Sequence, residues 1–276
     1  MVLASGASVA AQSNCVGPCV GPPTGTLILA GGGRLDPAVY RRFIQLAGGP
    51  DAPIVVIPTA SHEDRFTPDW YALDELRQAG ARNLVLLHTR HRDEADTDAF
   101  VRPLREASAV WIMGGRSWRL VNAYLGTRTE TELHLLLARG GVVGGTSAGA
   151  SMMASYLVRG AVTSNEVVMA PGYETGFGFL RGVAVDQHVL ARQREEDLLG
   201  VVRAHPELLG IGLDEGTALV VHGDRAEVIG KSRVGFYNPL DRNRLFIWYA
   251  EGEVYDLARR ATTDVADADG ADPFGH

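Results

Sequence analysis

"GGVVGGTSAGASMMA", residues 140–154, places Ser147 between an apolar run over 142–145 and a small-residue stretch with helix character that begins near Ala148. A strand pattern running straight into a helix pattern makes Ser147 the corner of a strand-to-helix elbow. Gly144, Gly145, Ala148 and Gly149 flank it with almost no side-chain bulk, and "GTSAG" fits G-x-S-x-G. Such an elbow tolerates unusual dihedrals and presents a hydroxyl at the carboxyl edge of a parallel sheet, where ligands bind. Small residues around a serine also occur where a helix packs closely on a sheet. The stretch by itself therefore leaves both readings of Ser147 open, nucleophile and tight turn.

Outward from the elbow the same alternation continues. "TLILA", "PIVVIP", "NLVLLH", "AVWIMG", "VAVDQ" and "LGIGLD" are β-branched or apolar runs, and the segments 37–47, 68–79 and 120–137 between them have helical spacing and length. Strands and helices taking turns imply an α/β fold with a mainly parallel sheet. After Glu215 the pattern changes: "TALVVHGDRAEVIG" and "RLFIWYAEGEVYDL" predict hairpins around His-Gly-Asp and Glu-Gly that close one edge of that sheet. The expected organisation is a flexible leader or linker over 1–24, one catalytic α/β domain over 25–260 and a flexible acidic tail over 261–276.

The 276 residues are 46% hydrophobic, enough for one large domain with a substantial core. A formal charge of −7 argues against attraction to nucleic acid or anionic lipid. No window approaches the roughly eighteen consecutive apolar residues of a membrane-spanning helix. "SVAAQ" near the start resembles the end of a secretory signal, although a basic n-region and a full apolar core are missing. The only cysteines, Cys15 and Cys19, lie in "NCVGPCVGPPTG", where Gly and Pro forbid regular structure, so neither is expected in the core. They read as a disulfide staple of an exported protein or as two free thiols. Together these features favour an exported location, periplasmic or extracellular, over the cytoplasm.

A serine nucleophile needs a base, and the base an orienting group. Among eight histidines, His62 and His91 fall in polar loops, His205 in a turn and His276 at the end, whereas His188 closes the apolar run "GVAVDQH". Asp186, Asp214 and Glu215 all end strands, so spacing does not choose among them as the acid. Gly114 and Gly115, at the end of "AVWIMGGRS", are placed to offer an amide to a developing oxyanion together with the amide of Ala148. "LILAGGGR" lacks the GKS/T of a phosphate loop and fits GxGxxG poorly, and a CxxxC pair without histidine is a weak metal signal. No cofactor and no metal are expected.

The blocks "GGTSAGASMM", "GFGFLRGVAVDQH" and "LLGIGLDEGTALVV" resemble, in order, the cyanophycinase branch of the serine peptidases, which also include aspartyl dipeptidase. The resemblance implies a flavodoxin-like three-layer sandwich related to class I glutamine amidotransferases, with serine where the amidotransferases carry cysteine. It implies a Ser147–His188–Glu215 triad, which is what selects Glu215 over Asp214, and hydrolysis of aspartyl or β-aspartyl peptide bonds, cyanophycin included. A homodimer is compatible with it. Substrate contacts are expected from Arg116, Ser117, Asp186, Gln187, Arg192 and Arg194, because arginine forks suit carboxylates and aspartate suits guanidinium. The chain departs from the pattern at Arg116 and Ser117, where relatives carry an acidic or amide residue and then glutamine, and at Asp197, where they carry a third arginine. A pocket so altered points to an aspartyl peptide other than the arginine-bearing polymer, or to a binding protein without turnover.

Overall fold

The computed structural model describes Cys15 and residues 17–241 and 244–263. Most of the expected tail, 264–276, and most of the expected leader, 1–14, lie outside the described residues. In chain order the elements run β1 (Thr26–Ala30), α1 (Pro37–Leu46), β2 (Ile54–Ile57), α2 (Asp74–Gln78), β3 (Leu84–Leu86), α3 (Arg92–Ala95), α4 (Asp98–Glu106), β4 (Ala109–Ile112), α5 (Ser117–Tyr124), α6 (Arg128–Ala138), β5 (Val142–Thr146) and α7 (Ala148–Ser151). They continue with β6 (Ala154–Leu157), β7 (Leu180–Gln187), α8 (Asp197–Ala204), β8 (Leu209–Leu213), β9 (Thr217–His222), β10 (Arg225–Gly230), β11 (Val234–Tyr237), β12 (Ile247–Tyr249), β13 (Val254–Asp256) and β14 (Ala261–Thr262).

The class is mixed α/β, and the strands form two sheets. The larger has the order β14-β13-β10-β9-β1-β5-β4-β2-β3, with β1, β5, β4, β2 and β3 mutually parallel. The smaller has the order β12-β11-β8-β7-β6, with β6, β7 and β8 parallel. Strand β1 shows why the larger sheet has helices on both faces. Leu27 and Leu29 join the cluster that holds Val101, Leu104, Leu133 and Leu136 of α4 and α6, while Ile28 and Ala30 join Val39 and Phe43 of α1. The period-two alternation of a strand thus feeds two apolar layers, and β1 is buried along its whole length.

Local chemistry sets the ends of the helices. Pro37 opens α1, and the side chain of Asp36 accepts from the amide of Ala38 at 2.9 Å, the arrangement that satisfies a first-turn donor. The expected helix over 120–137 is two helices, because the chain turns at Gly126 with φ 73° before Thr127 starts α6. Within 68–79 only Asp74–Gln78 is α-helical, preceded by a 3-10 turn at Tyr71–Leu73.

The hairpin around His-Gly-Asp forms as expected between β9 and β10 and extends the larger sheet beyond β1. The second does not: β12 pairs with β11 in the smaller sheet and β13 with β10 in the larger, so the Glu-Gly turn carries the chain from one sheet to the other. Alternating hydrophobicity marks two strands and a turn but is silent on which partner each strand takes.

Cys15 and Cys19 form a disulfide. Against expectation Cys19 is buried, 5% exposed. Asp224 Oδ1 accepts from the Val20 amide at 2.6 Å and Gly223 O from the Gly21 amide at 2.9 Å, so the segment is stitched to the β9–β10 turn. Gly and Pro exclude helix and strand there without excluding packing.

Candidate active site

Ser147 occupies a backbone conformation, φ 53° and ψ −116°, that side chains rarely adopt. Its amide donates to Ala30 O at 2.9 Å, which ties the elbow to the end of β1. Bulk is excluded around it for a geometric reason. A Cβ on Gly149 would collide with the Ile112 carbonyl, so glycine is what lets α7 lie against the sheet.

The Ser147 Oγ lies 2.9 Å from Nε2 of His188, and Nδ1 of His188 lies 2.5 Å from Oε1 of Glu215. Ser147 follows β5 of the larger sheet, whereas His188 follows β7 and Glu215 lies just past β8 of the smaller one. The three groups therefore meet across the seam between sheets and not along a single edge. The glycines after β1 make the seam close. A Cβ on Gly32, φ 106°, would overlap the His188 imidazole, and one on Gly33, φ 64°, would overlap the Glu215 carboxylate. Gly31 O accepts from the His188 amide at 3.1 Å, and Gly32 O from the Gly216 amide at 3.1 Å. Sequence reasoning set "LILAGGGR" aside once the nucleotide motifs failed. Three consecutive glycines at a strand end were themselves the signal of close approach.

His188 is 6% exposed and has its pKa lowered from 6.5. Burial is the largest cause; the Glu215 hydrogen bond opposes it, and the charges of Arg192 and Arg194 reinforce it. A neutral imidazole at pH 7 is the state able to take a proton.

The three acids that spacing left equivalent have different surroundings. Asp214, 7% exposed, accepts from the amides of Leu190 and Ala191 at 3.0 and 2.9 Å and from Ser232 Oγ at 2.6 Å, so it holds the loop after His188. Asp186, expected to contact substrate, is fully buried. Its two oxygens accept from Nε and Nη2 of Arg159 at 2.7 and 2.8 Å. Alternation along β7 is the reason, since Asp186 shares a face with Ala184, and that face packs on Leu198 and Leu199 of α8. Arg159 also donates to Asp197 at 2.5 Å and to Asn165 O at 2.9 Å. Asp197, the departure from three spaced arginines, thus has its guanidinium supplied from just beyond β6.

The remaining expected contacts divide. Arg192 is exposed next to His188. Arg194 is buried, with Nη2 on Glu166 Oε1 at 2.7 Å, and Nη1 without a partner among the described residues. Gln187 is buried with its Oε1 likewise unpartnered. Gly114 lies against the nucleophile, its added Cβ falling 3.1 Å from that of Ser147, and Gly115 follows with φ 143°. Ser117, expected to contact substrate, is buried in the first turn of α5 at 3% exposure. Arg116 donates through Nη2 to Ala161 O and Val162 O at 2.8 and 3.1 Å. Among the described residues, Cys15, Cys19 and Asp224 are grouped tightly enough to hold a metal ion, but both sulfurs are spent on the disulfide.

Residues 27–229 match the family model described as Peptidase family S51. The chain belongs to this family. As a member of peptidase family S51 it is a serine peptidase. It is 34% identical over 199 residues to a cyanophycinase of Geminocystis herdmanii, covering 71% of this chain and 73% of that one. A cyanophycinase of Synechococcus elongatus is 33% identical over 226 residues, 78% of this chain and 69% of the relative. Two solved structures share the fold. A peptidase from an acI-B1 Actinobacterium has TM-score 0.65 at 23% identity, covering 84% and 96% of the two chains. A protein described as a putative peptidase E from Listeria monocytogenes has TM-score 0.55 at 16% identity, covering 75% and 99%.

Proposed function

We propose that this S51 peptidase hydrolyses aspartyl or β-aspartyl peptide bonds through an acyl-enzyme on Ser147. One observation carries this: the unbroken pair of hydrogen bonds from Ser147 Oγ through His188 to Glu215. His188 takes the serine proton at Nε2 as Oγ attacks the carbonyl carbon, while Glu215 accepts from Nδ1 and stabilises the imidazolium that forms. The tetrahedral oxygen is held by the amides of Gly115, one residue past the Gly114 that lies against the nucleophile, and of Ala148, immediately after the nucleophile. The imidazolium then protonates the leaving amine. Water, deprotonated by the same imidazole, releases the acid product.

The cyanophycinases among the relatives support an aspartyl substrate. Arg192, exposed beside His188, is the group placed to meet a substrate carboxylate, with Arg194 behind it. The test is incubation with cyanophycin, β-Asp-Arg and α-linked Asp-X dipeptides, with products identified by mass. Aspartyl products that disappear in Ser147→Ala support the activity; equal turnover in the two proteins overturns it.

A further inference from the structure

Three arginines lie in a row on the Gly115 side of the nucleophile. The carbonyl of Ala60 packs against Gly115, where an added Cβ would collide with it, and it accepts from the Arg116 amide at 2.8 Å and from Arg119 Nη1 at 3.2 Å. The next carbonyl, Ser61 O, accepts from both Arg119 and Arg90, the latter at 2.9 Å, and Arg90 also reaches Glu63 O at 2.7 Å. Each step from Ser147 through Gly114, Gly115, Ala60 and Ser61 is thus a direct contact. The guanidinium of Arg119 is further fixed over the Trp118 ring, 5.3 Å from its centroid.

These positive charges are only partly neutralised. Arg116 and Arg119 bond to main-chain carbonyls, which position a guanidinium without cancelling its charge; Arg90 alone pairs with a carboxylate, Asp64. The Nε of all three is buried with no acceptor among the described residues. Burial, then the charges of Arg90 and Arg116, pull the pKa of Arg119 below its ordinary value, against weaker opposition from Asp64 and Glu63. In a chain of net charge −7, a cationic strip beside the nucleophile attracts anions.

We propose that Arg90, Arg116 and Arg119 form an anion-binding strip that receives the carboxylates of an acidic peptide lying past the bond cleaved at Ser147. This rests on the peptidase assignment of Ser147 and narrows the substrate class to peptides with acidic residues flanking the scissile aspartyl bond. Arg119 is the specificity determinant at the centre of the strip, its guanidinium between the Ala60 carbonyl, which also takes the Arg116 main-chain amide, and the Ser61 carbonyl shared with the Arg90 guanidinium.

The experiment uses two peptides with the same central aspartyl bond, one flanked by aspartates and the other by asparagines. Wild type should show kcat/KM about tenfold or more higher on the acidic peptide, as expected for one charge-assisted hydrogen bond, with the preference shrinking as salt is raised. Arg119→Gln should bring the ratio close to parity. Arg119→Lys, which keeps the charge without the two-carbonyl fork, should retain most of it, and this separates anion binding from holding the Ala60–Ser61 carbonyls. An unchanged ratio in Arg119→Gln, or no preference in wild type, overturns the strip. A second measurement is independent of turnover: tetra-aspartate titrated calorimetrically into Ser147→Ala should bind about tenfold more weakly once Arg119→Gln is added. If no aspartyl peptide is cleaved but this difference is present, the aspartyl-bond reading falls and the strip stands as an anion site. If peptides are cleaved and the difference is absent, the strip falls alone.

Discussion

Glu215 and Asp186 are both carboxylates at the ends of neighbouring strands of the smaller sheet, and each holds a nitrogen-bearing side chain within hydrogen-bond reach. Asp186 is fully buried, with both oxygens on one guanidinium that is itself 2% exposed. The Glu215 side chain is 38% exposed and bonds to an imidazole whose other nitrogen faces Ser147. The first pair is closed on both ends and the second is open at one. A carboxylate paired with a nitrogen donor orients chemistry only where the donor has a second face free to react; where both partners are enclosed, the pair is part of the interior.

The comparison can be broken most decisively at Glu215. Glu215→Gln should lower turnover about a thousand- to ten-thousand-fold by removing the acceptor that fixes the imidazole tautomer, with the melting temperature nearly unchanged. A large loss in Asp214→Asn with Glu215→Gln active would move the role to the neighbouring acid. Asp186→Asn should do the reverse. Removing the fully buried charge leaves the Arg159 guanidinium with only the partly exposed Asp197 opposite it and costs up to about 3–5 kcal/mol, measured by urea unfolding, whereas residual activity per folded molecule should fall far less than in Glu215→Gln.

Gly32→Ala comes next. The added methyl group meets the imidazole and displaces it, and a misplacement of about 1 Å is enough for roughly a hundredfold loss of kcat. Circular dichroism should remain that of the wild type. Activity equal to wild type would show that the loop after β1 yields and the imidazole does not depend on it.

The smallest expected effect is in the pH profile. Because burial holds the His188 pKa below 6.5, the imidazole stays neutral further into acid than an ordinary histidine, and the acidic limb of kcat/KM should lie below that value. The Glu215 hydrogen bond favours the protonated form, so in the residual activity of Glu215→Gln the limb should shift to still lower pH. A shift upward would mean that a group other than His188 sets the limb.

The elbow at Ser147 and the β/α alternation were legible because glycine content and period report local backbone geometry directly. The resemblance then chose Glu215, a choice that spacing alone did not make. Illegible were the features set by where strands go after they form. No local pattern says that β7 and β8 leave the first sheet, that Asp186 faces α8, or that Arg159 arrives from β6 to occupy it. The fate of Arg116 was hidden for the same reason, since its acceptors are carbonyls of residues 161–162, more than forty positions away.

The seam between the sheets also governs when the protein first becomes able to cut. Ser147 and the parallel strands β1 to β5 precede His188 and Glu215 in the chain, whereas β9, which flanks β1, follows them, so the site is whole only when both sheets are formed and the glycines after β1 close on the base and its orienter. Hydrolytic competence is therefore a reporter of finished assembly. A partly folded molecule carries an ordinary, unreactive serine.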